Sequence, residues 1–304
     1  MLNRRTLIAA ATVAALAPGL ATAQTWQSKF PELVLALVPA ENASGTIDRY
    51  KPLADYLAKE LGTKVTLRVA ADYAAVIEGQ KAGQIHLGNY GPGSYVLAHR
   101  VSGGTVEAFT TNESQTGATG YFSVIWVKKD SPYQKLEDLK GKNLGLVDAN
   151  STSGNFAPRY FMSKAGIDVD SYFKTATYTG SHENAIIALN NGTVDGATNW
   201  WNAPGDSNFD RMVKKGMVKG EDFRLLWKSE PLAGSPWAYL TTIPAEGRKA
   251  IADAFFNMHT KAPELVAKMS DGQDRKWVPV SHKDYADQEK MNDFIDALRK
   301  KRAS

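Results

Sequence analysis

Ser151, Thr152 and Ser153 stand in a row before Gly154, between a short apolar run at residues 144–147 and a helical pattern that ends near Ala165-Gly166. The spacing places these hydroxyls at a strand-to-helix turn. The first N–H groups of a helix have no internal acceptor, and the helix dipole adds partial positive charge there. A hydroxyl-rich turn at that point cradles an anion with neutral donors; the simpler reading is that Ser151 or Ser153 caps the helix. Similar turns recur at Thr179-Gly180-Ser181-His182-Glu183, at Asn89-Tyr90-Gly91-Pro92-Gly93-Ser94, and where Asp72 caps a helix that begins with Tyr73. Small donors from several such turns suit a small oxyanion. His182, in the first turn of its helix, is read as a donor whose protonated form the anion favours.

Other chemistries are weaker. Ser151, His182 and Asp148 supply the residue types of a hydrolytic triad, but the chain has no Gly-x-Ser-x-Gly elbow. His86, His99, His259 and His282 form no metal spacing, and there is no cysteine for a disulfide, a thiolate or a metal. No cofactor and no metal are expected. Trp200-Trp201 follows an expected strand, residues 194–199, and reads as lobe packing or as a cleft wall.

The elements that position these turns fill 304 residues, enough for two lobes. Arg4-Arg5, an apolar run over residues 7–20 and the small-x-small sequence Ala21-Thr22-Ala23 read as an export signal over residues 1–23, with a twin-arginine hint. Without those two arginines the formal charge falls from +4 to +2, so neither nucleic acid nor a membrane surface is an expected partner. Apolar runs at residues 33–38, 65–69, 85–88 and 106–110, alternating with helical patterns at about 47–61, 72–83 and up to 99, give β-α-β-α-β and a parallel sheet. After Gly117–Gly120, a longer strand at 121–127 crosses into a second lobe. There the pattern restarts, with strands near 144–147, 175–178, 194–199 and 223–227. Residues 232–236 read as the return crossing, and 237–241 with the remaining helices rejoin the first lobe. The expected architecture is an α/β clamp of two sheets joined by two crossing segments, with lobe 1 at 28–115 and 232–304 and lobe 2 at 116–231.

The sequences Asn150-Ser151-Thr152-Ser153-Gly154, Gly180-Ser181-His182-Glu183-Asn184-Ala185 and Val194-Asp195-Gly196-Ala197-Thr198-Asn199, with Asp72-Tyr73-Ala74, Tyr90-Gly91, Gly120-Tyr121-Phe122-Ser123 and Trp227-Lys228-Ser229, closely resemble the periplasmic phosphonate-binding proteins of ABC uptake systems. The likeness runs from about residue 33 to 260. It implies a type II two-lobed clamp, not an enzyme, that hands a phosphorus oxyanion to an inner-membrane permease with its ATPase, acting as a monomer in the periplasm. By resemblance the anion is held by Tyr121, Ser151, Thr152 and His182, with Tyr73 from the other lobe; Tyr90, Ser153, Trp200, Trp201, Asn202 and Ser235 complete the candidate set. Members that bind aminoalkyl phosphonates carry acids where this chain has Asn202 and Ser235. An unpaired buried ammonium is costly, so the expected ligand is phosphite, hypophosphite or an amine-free alkyl phosphonate. A periplasmic anion sensor for a membrane kinase and a phosphoester hydrolase are the alternatives.

Overall fold

A computed structural model describes residues 25–303; the expected export signal lies outside them. The first lobe opens with α1 (Trp26–Lys29), β1 (Glu32–Leu37), α2 (Ala43–Leu61), β2 (Lys64–Val69), α3 (Tyr73–Lys81), β3 (Leu87–Asn89), α4 (Pro92–Val101) and β4 (Val106–Ser114). The second holds β5 (Phe122–Lys128), a 3₁₀ turn at Leu136–Leu139, β6 (Asn143–Leu146), a π-helical turn at Thr152–Phe156, α5 (Ala157–Lys164), α6 (Val169–Tyr172), β7 (Thr175–Tyr178), α7 (His182–Asn190), β8 (Gly196–Ala203), β9 (Asp206–Ser207), α8 (Asn208–Lys214) and β10 (Phe223–Lys228). The chain then returns through β11 (Pro236–Leu240), α9 (Ala245–Lys261), α10 (Pro263–Ser270), β12 (Asp274–Pro279) and α11 (Ala286–Ala303).

The first sheet has six strands in the order β12-β4-β11-β3-β1-β2, and the second is ordered β10-β5-β8-β6-β7 with β9 paired to β8. At one end of each sheet three strands are parallel, β1 with β2 and β3, and β6 with β7 and β8. The inner strands β1, β3 and β6 are covered on both faces and so read as apolar runs; Leu33, Leu35, Leu87, Leu144 and Leu146 are fully buried. Removing each such side chain from water stabilises the fold by about 1.5–3 kcal/mol. Both sheets are mixed rather than purely parallel. The returning strand β11 inserts antiparallel between β3 and β4.

Two further departures bear on the site. Helix α2 starts several residues before the expected 47, because the Asn42 side chain accepts the Gly45 N–H and caps it there. Residues 274–279, expected to belong to helical sequence, form the edge strand β12 against β4, closing with Pro279 as edge strands tolerate.

The crossings lie against each other. Tyr121 and Leu232 pair in an antiparallel bridge, with N–H to O=C distances of 3.2 and 2.8 Å. A Cβ on Gly234 would meet the Thr119 carbonyl oxygen at 2.1 Å, so glycine is required where the two segments pass. Helix α11 reaches both lobes: it packs on α4 in the first and α5 in the second, and Arg299 donates to the Ala149 carbonyl at 2.7 Å.

Candidate functional site

Between the lobes lies a cavity of about 270 Å³. Tyr73, Tyr90, Tyr121, Ser151, Thr152, Ser153, His182, Trp200, Asn202 and Ser235 all line it. Its floor is the turn after β6. The N–H of Phe156 reaches back to the Ser151 carbonyl at 3.0 Å, an i→i−5 bond, so the chain makes one π-turn before α5. Ser151 does cap this turn, its Oγ accepting the Gly154 N–H at 3.1 Å. The cap reading and the anion-cradle reading are therefore compatible, since the accepting oxygen leaves its O–H free to donate elsewhere. Gly154 is dictated by space: a Cβ there would meet Val147 Cβ at 2.3 Å. From behind, Ser123 Oγ donates to the Ser153 carbonyl at 2.6 Å and Thr198 Oγ1 to that of Gly154 at 2.9 Å.

Thr152 Oγ1 accepts the Gly93 N–H from the start of α4 at 2.9 Å, so this hydroxyl joins the lobes. Tyr121 is buried, which raises its pKa and keeps it a donor; Thr152, Ser153 and Ser235 surround its hydroxyl. Tyr73 is likewise buried at 3 % exposure, and burial raises its pKa, with Ser151 at its hydroxyl. The Asp72 carboxylate accepts the Ala75 N–H at 2.7 Å and fixes the start of α3, which aims Tyr73 at the cavity.

His182 begins α7 behind its cap Ser181 and is 3 % exposed. Its Nδ1 lies 3.0 Å from Asn199 Oδ1. Burial lowers its pKa to about 3, against the small upward pull of that hydrogen bond. In the ligand-free protein desolvation disfavours the cation; the expected protonated imidazole is the one a bound anion favours. The triad geometry is absent. Asp148 accepts the Asn150 N–H at 2.7 Å and the Tyr73 N–H from the opposite lobe, and the partner of His182 is an amide.

Two candidates are not donors to the cavity. The Tyr90 hydroxyl turns into the first lobe and donates to Gln80 Oε1 at 2.7 Å; only the rest of the residue borders the cleft. Trp200 and Trp201 do not follow β8 but lie within it, so their side chains take opposite faces. Trp200 faces the cavity. Trp201 packs on Phe122, ring centres 5.7 Å apart, under the Lys228 ammonium.

Several lining residues carry no motif: Glu41, Tyr50, Arg211, Trp237, Trp277, Asp206 and Asp274. Asn202 donates to Asp206 at 2.9 Å, and Asn112 to Asp274 at 2.7 Å. Burial raises both acids, Asp274 to about 6, with Asp206 adding to the rise. The Arg211 guanidinium lies 4.9 Å from the Trp200 ring centre and pairs with Glu41 and Asp271. Glu41 also bonds Arg49 at 2.7 Å and Lys215 at 2.6 Å, and Lys215 continues to Glu183 at 3.0 Å. Burial works to raise the Glu41 pKa, yet these cations outweigh it and hold it below the usual range. Among the described residues no group of His, Asp or Glu is placed to hold a metal, and no helix is long and apolar enough to cross a membrane.

A family model described as ABC transporter, phosphonate, periplasmic substrate-binding protein matches residues 35–285. The chain is 31 % identical over 302 residues to the phosphate-import protein PhnD of Mycolicibacterium smegmatis, covering 91 % of each chain. It is 30 % identical over 237 residues to the phosphonates-binding periplasmic protein of Escherichia coli, covering 76 % of this chain and 67 % of the relative. Among solved structures, a binding protein component of an ABC phosphonate transporter from Pseudomonas aeruginosa superposes with a TM-score of 0.79 at 24 % identity, over 88 % of this chain and 87 % of that one.

Proposed function

Because the chain belongs to the periplasmic substrate-binding proteins of phosphonate ABC transporters, we propose that it binds one small phosphorus oxyanion between its lobes and delivers it to a membrane permease driven by an ATPase. Phosphite, hypophosphite and amine-free alkyl phosphonates are the ligand class. The carrying observation is the convergence of neutral donors from both lobes: Tyr73 from one, and Tyr121, Ser151, Thr152 and Ser153 from the other, on one cavity. The lobes are taken as residues 28–115 with 232–304, and 116–231. The working form is an exported monomer, and residues 1–23 are its export signal. Arg211 adds no free charge to the site, being held by Glu41 and Asp271. Trp200 supplies an apolar wall for a P–H or P–CH₃ face and penalises a fourth oxygen there.

One observation favours a second reading, an aminoalkyl phosphonate. Asp206 stands beside Asn202, and with Asp274 it offers carboxylates that Asn202 and Ser235 lack. Calorimetry of residues 24–304 against phosphite, hypophosphite, methylphosphonate, aminoethylphosphonate, phosphate and sulfate tests both. Tight binding of an amine-free member supports the first reading. Tight aminoethylphosphonate binding that is lost in Asp206→Asn or Asp274→Asn replaces it with the second. No heat with any phosphorus oxyanion overturns the function.

A further inference from the structure

Asn199 fixes which way the His182 ring presents its nitrogens. The Asn199 Nδ2 donates to the His182 carbonyl at 3.0 Å, and its Oδ1 accepts the Trp200 N–H at 2.9 Å. Two backbone groups of opposite polarity thus orient this amide. Its Oδ1 is an acceptor, so His182 Nδ1, 3.0 Å away, carries a proton and donates. In the neutral ring the other nitrogen, Nε2, then bears a lone pair and no proton. His182 lines the cavity.

We infer that His182 turns an acceptor, not a donor, toward the ligand, so that the protein takes its oxyanion with one ionisable oxygen protonated and rejects anions that hold no proton at neutral pH. The inference rests on the proposed function and narrows it. Tyr73, Tyr121, Ser151, Thr152 and Ser153 are donors for the charged oxygens, and His182 Nε2 receives the single P–OH. Phosphite, phosphate and alkyl phosphonates have a second ionisation close to neutral pH, as phosphate monoesters do, and can carry that proton. Sulfate, sulfonates and hypophosphite cannot, and each would set an oxygen lone pair against that of Nε2. Hypophosphite therefore drops from the ligand class.

The charged groups around the cavity do not reverse this polarity. Glu41 precedes α2, Arg211 lies on α8, Asp206 on β9, Asp274 on β12, and Asp148 follows β6; Glu183 adjoins His182 on α7 and is occupied by Lys215 and the Asn42 N–H. Burial alone accounts for the low basicity of the ring; the Asn199 hydrogen bond pulls the other way, and no charged partner contributes. When a free dianion binds, the missing proton comes from solvent. Dianion plus one proton gives the bound monoanion, and no covalent bond to phosphorus changes.

The test is calorimetry with methylphosphonate in buffers of different ionisation enthalpy, at a pH above its second ionisation. Close to one proton should be taken up per site. Sulfate, methanesulfonate and hypophosphite should bind at least about 100-fold more weakly, the scale of one unpaired buried acceptor. Asn199→Asp makes the ring more basic and Nε2 a donor; proton uptake should fall toward zero and sulfate binding should tighten about tenfold or more. In the ligand-free protein, ¹⁵N NMR should show His182 as the neutral Nδ1–H tautomer at neutral pH. Methylphosphonate binding without proton uptake, sulfate binding of equal strength, or an Nε2–H tautomer would each overturn the inference while leaving the proposed function intact. Failure of every phosphorus oxyanion to bind would overturn the function and the inference together.

Discussion

Helices α3 and α7 each follow a strand at the edge of the parallel part of their sheet. Each is capped by a side chain, and each presents a buried ring at its first position: Asp72 and Tyr73 in one lobe, Ser181 and His182 in the other. The local construction is shared, and the hydrogen-bond polarity is not. Burial raises the Tyr73 pKa and keeps its hydroxyl a donor. Burial lowers the His182 pKa to about 3, and Asn199 takes its one N–H, which leaves an acceptor. The same physical cause, loss of water, acts on an acid and on a base with opposite sign. Affinity for charge and selection for a protonated oxygen are thus divided between two similar helix starts.

The sharpest way to break the comparison is Tyr73→Phe, which keeps the ring and removes the donor. Methylphosphonate binding should weaken by about 1.5–3 kcal/mol, the worth of a hydrogen bond to a charged group, with the thermal midpoint nearly unchanged; calorimetry and thermal unfolding check it. Asp274→Asn extends the contrast to a second acid shifted by burial. Its native pKa of about 6 exceeds the ordinary 3.8, so the protonated form favours folding. That contribution is fully present below the unfolded value and is lost as pH rises through about 6. The variant should gain about 2 kcal/mol over wild type on going from pH 4 to pH 7, as denaturant unfolding would show. Asp72→Ala and Ser181→Ala should each cost about 1 kcal/mol of stability, the loss of one cap, and matched values would confirm that the two helix starts are built alike. The smallest effect belongs to Trp201→Phe. Stability and affinity should change by less than about 0.5 kcal/mol, and any change of tryptophan emission on adding ligand should persist, whereas Trp200→Phe should reduce it, leaving the part due to Trp237 and Trp277, which also line the cavity.

The legible parts of this molecule were those carried by local pattern. Apolar runs marked the buried strands at Leu33, Leu87 and Leu144, and the cap Asp72 and the turn at 179–183 marked helix starts. The hydroxyl row at 151–153 was visible because its residue types and its place after a strand coincide. What failed depended on direction or on distant partners. Tyr90 stands in the expected turn, yet its hydroxyl is claimed by Gln80. Trp201 was assigned with Trp200 because β8 was expected to end at 199; as the strand continues, alternation sends it to the other face. Strand β12, bringing Asp274 and Trp277, is a short edge strand whose weak alternation gives little signal. The His182 tautomer is set by Asn199, 17 positions away in the chain.

The ion-pair set of Glu41, Arg49, Arg211, Lys215, Asp271 and Glu183 crosses the cleft, three members from each lobe, and the Glu183 carboxylate also accepts the Asn42 N–H at 2.8 Å. None of these charges is needed to recognise an oxyanion, but the pairs that span the cleft, Arg211 with Glu41 and Asp271 and Lys215 with Glu41, must part for the lobes to separate. Their effect therefore falls on the escape rate of a captured ligand. Added salt, which screens the partly exposed pairs over about 8–10 Å, shortens the dwell time of the complex through koff, while the ranking of anions, set by neutral hydroxyls and one imidazole, stays as it was. How long the protein holds its cargo and which cargo it holds are, in this chain, properties of different residues.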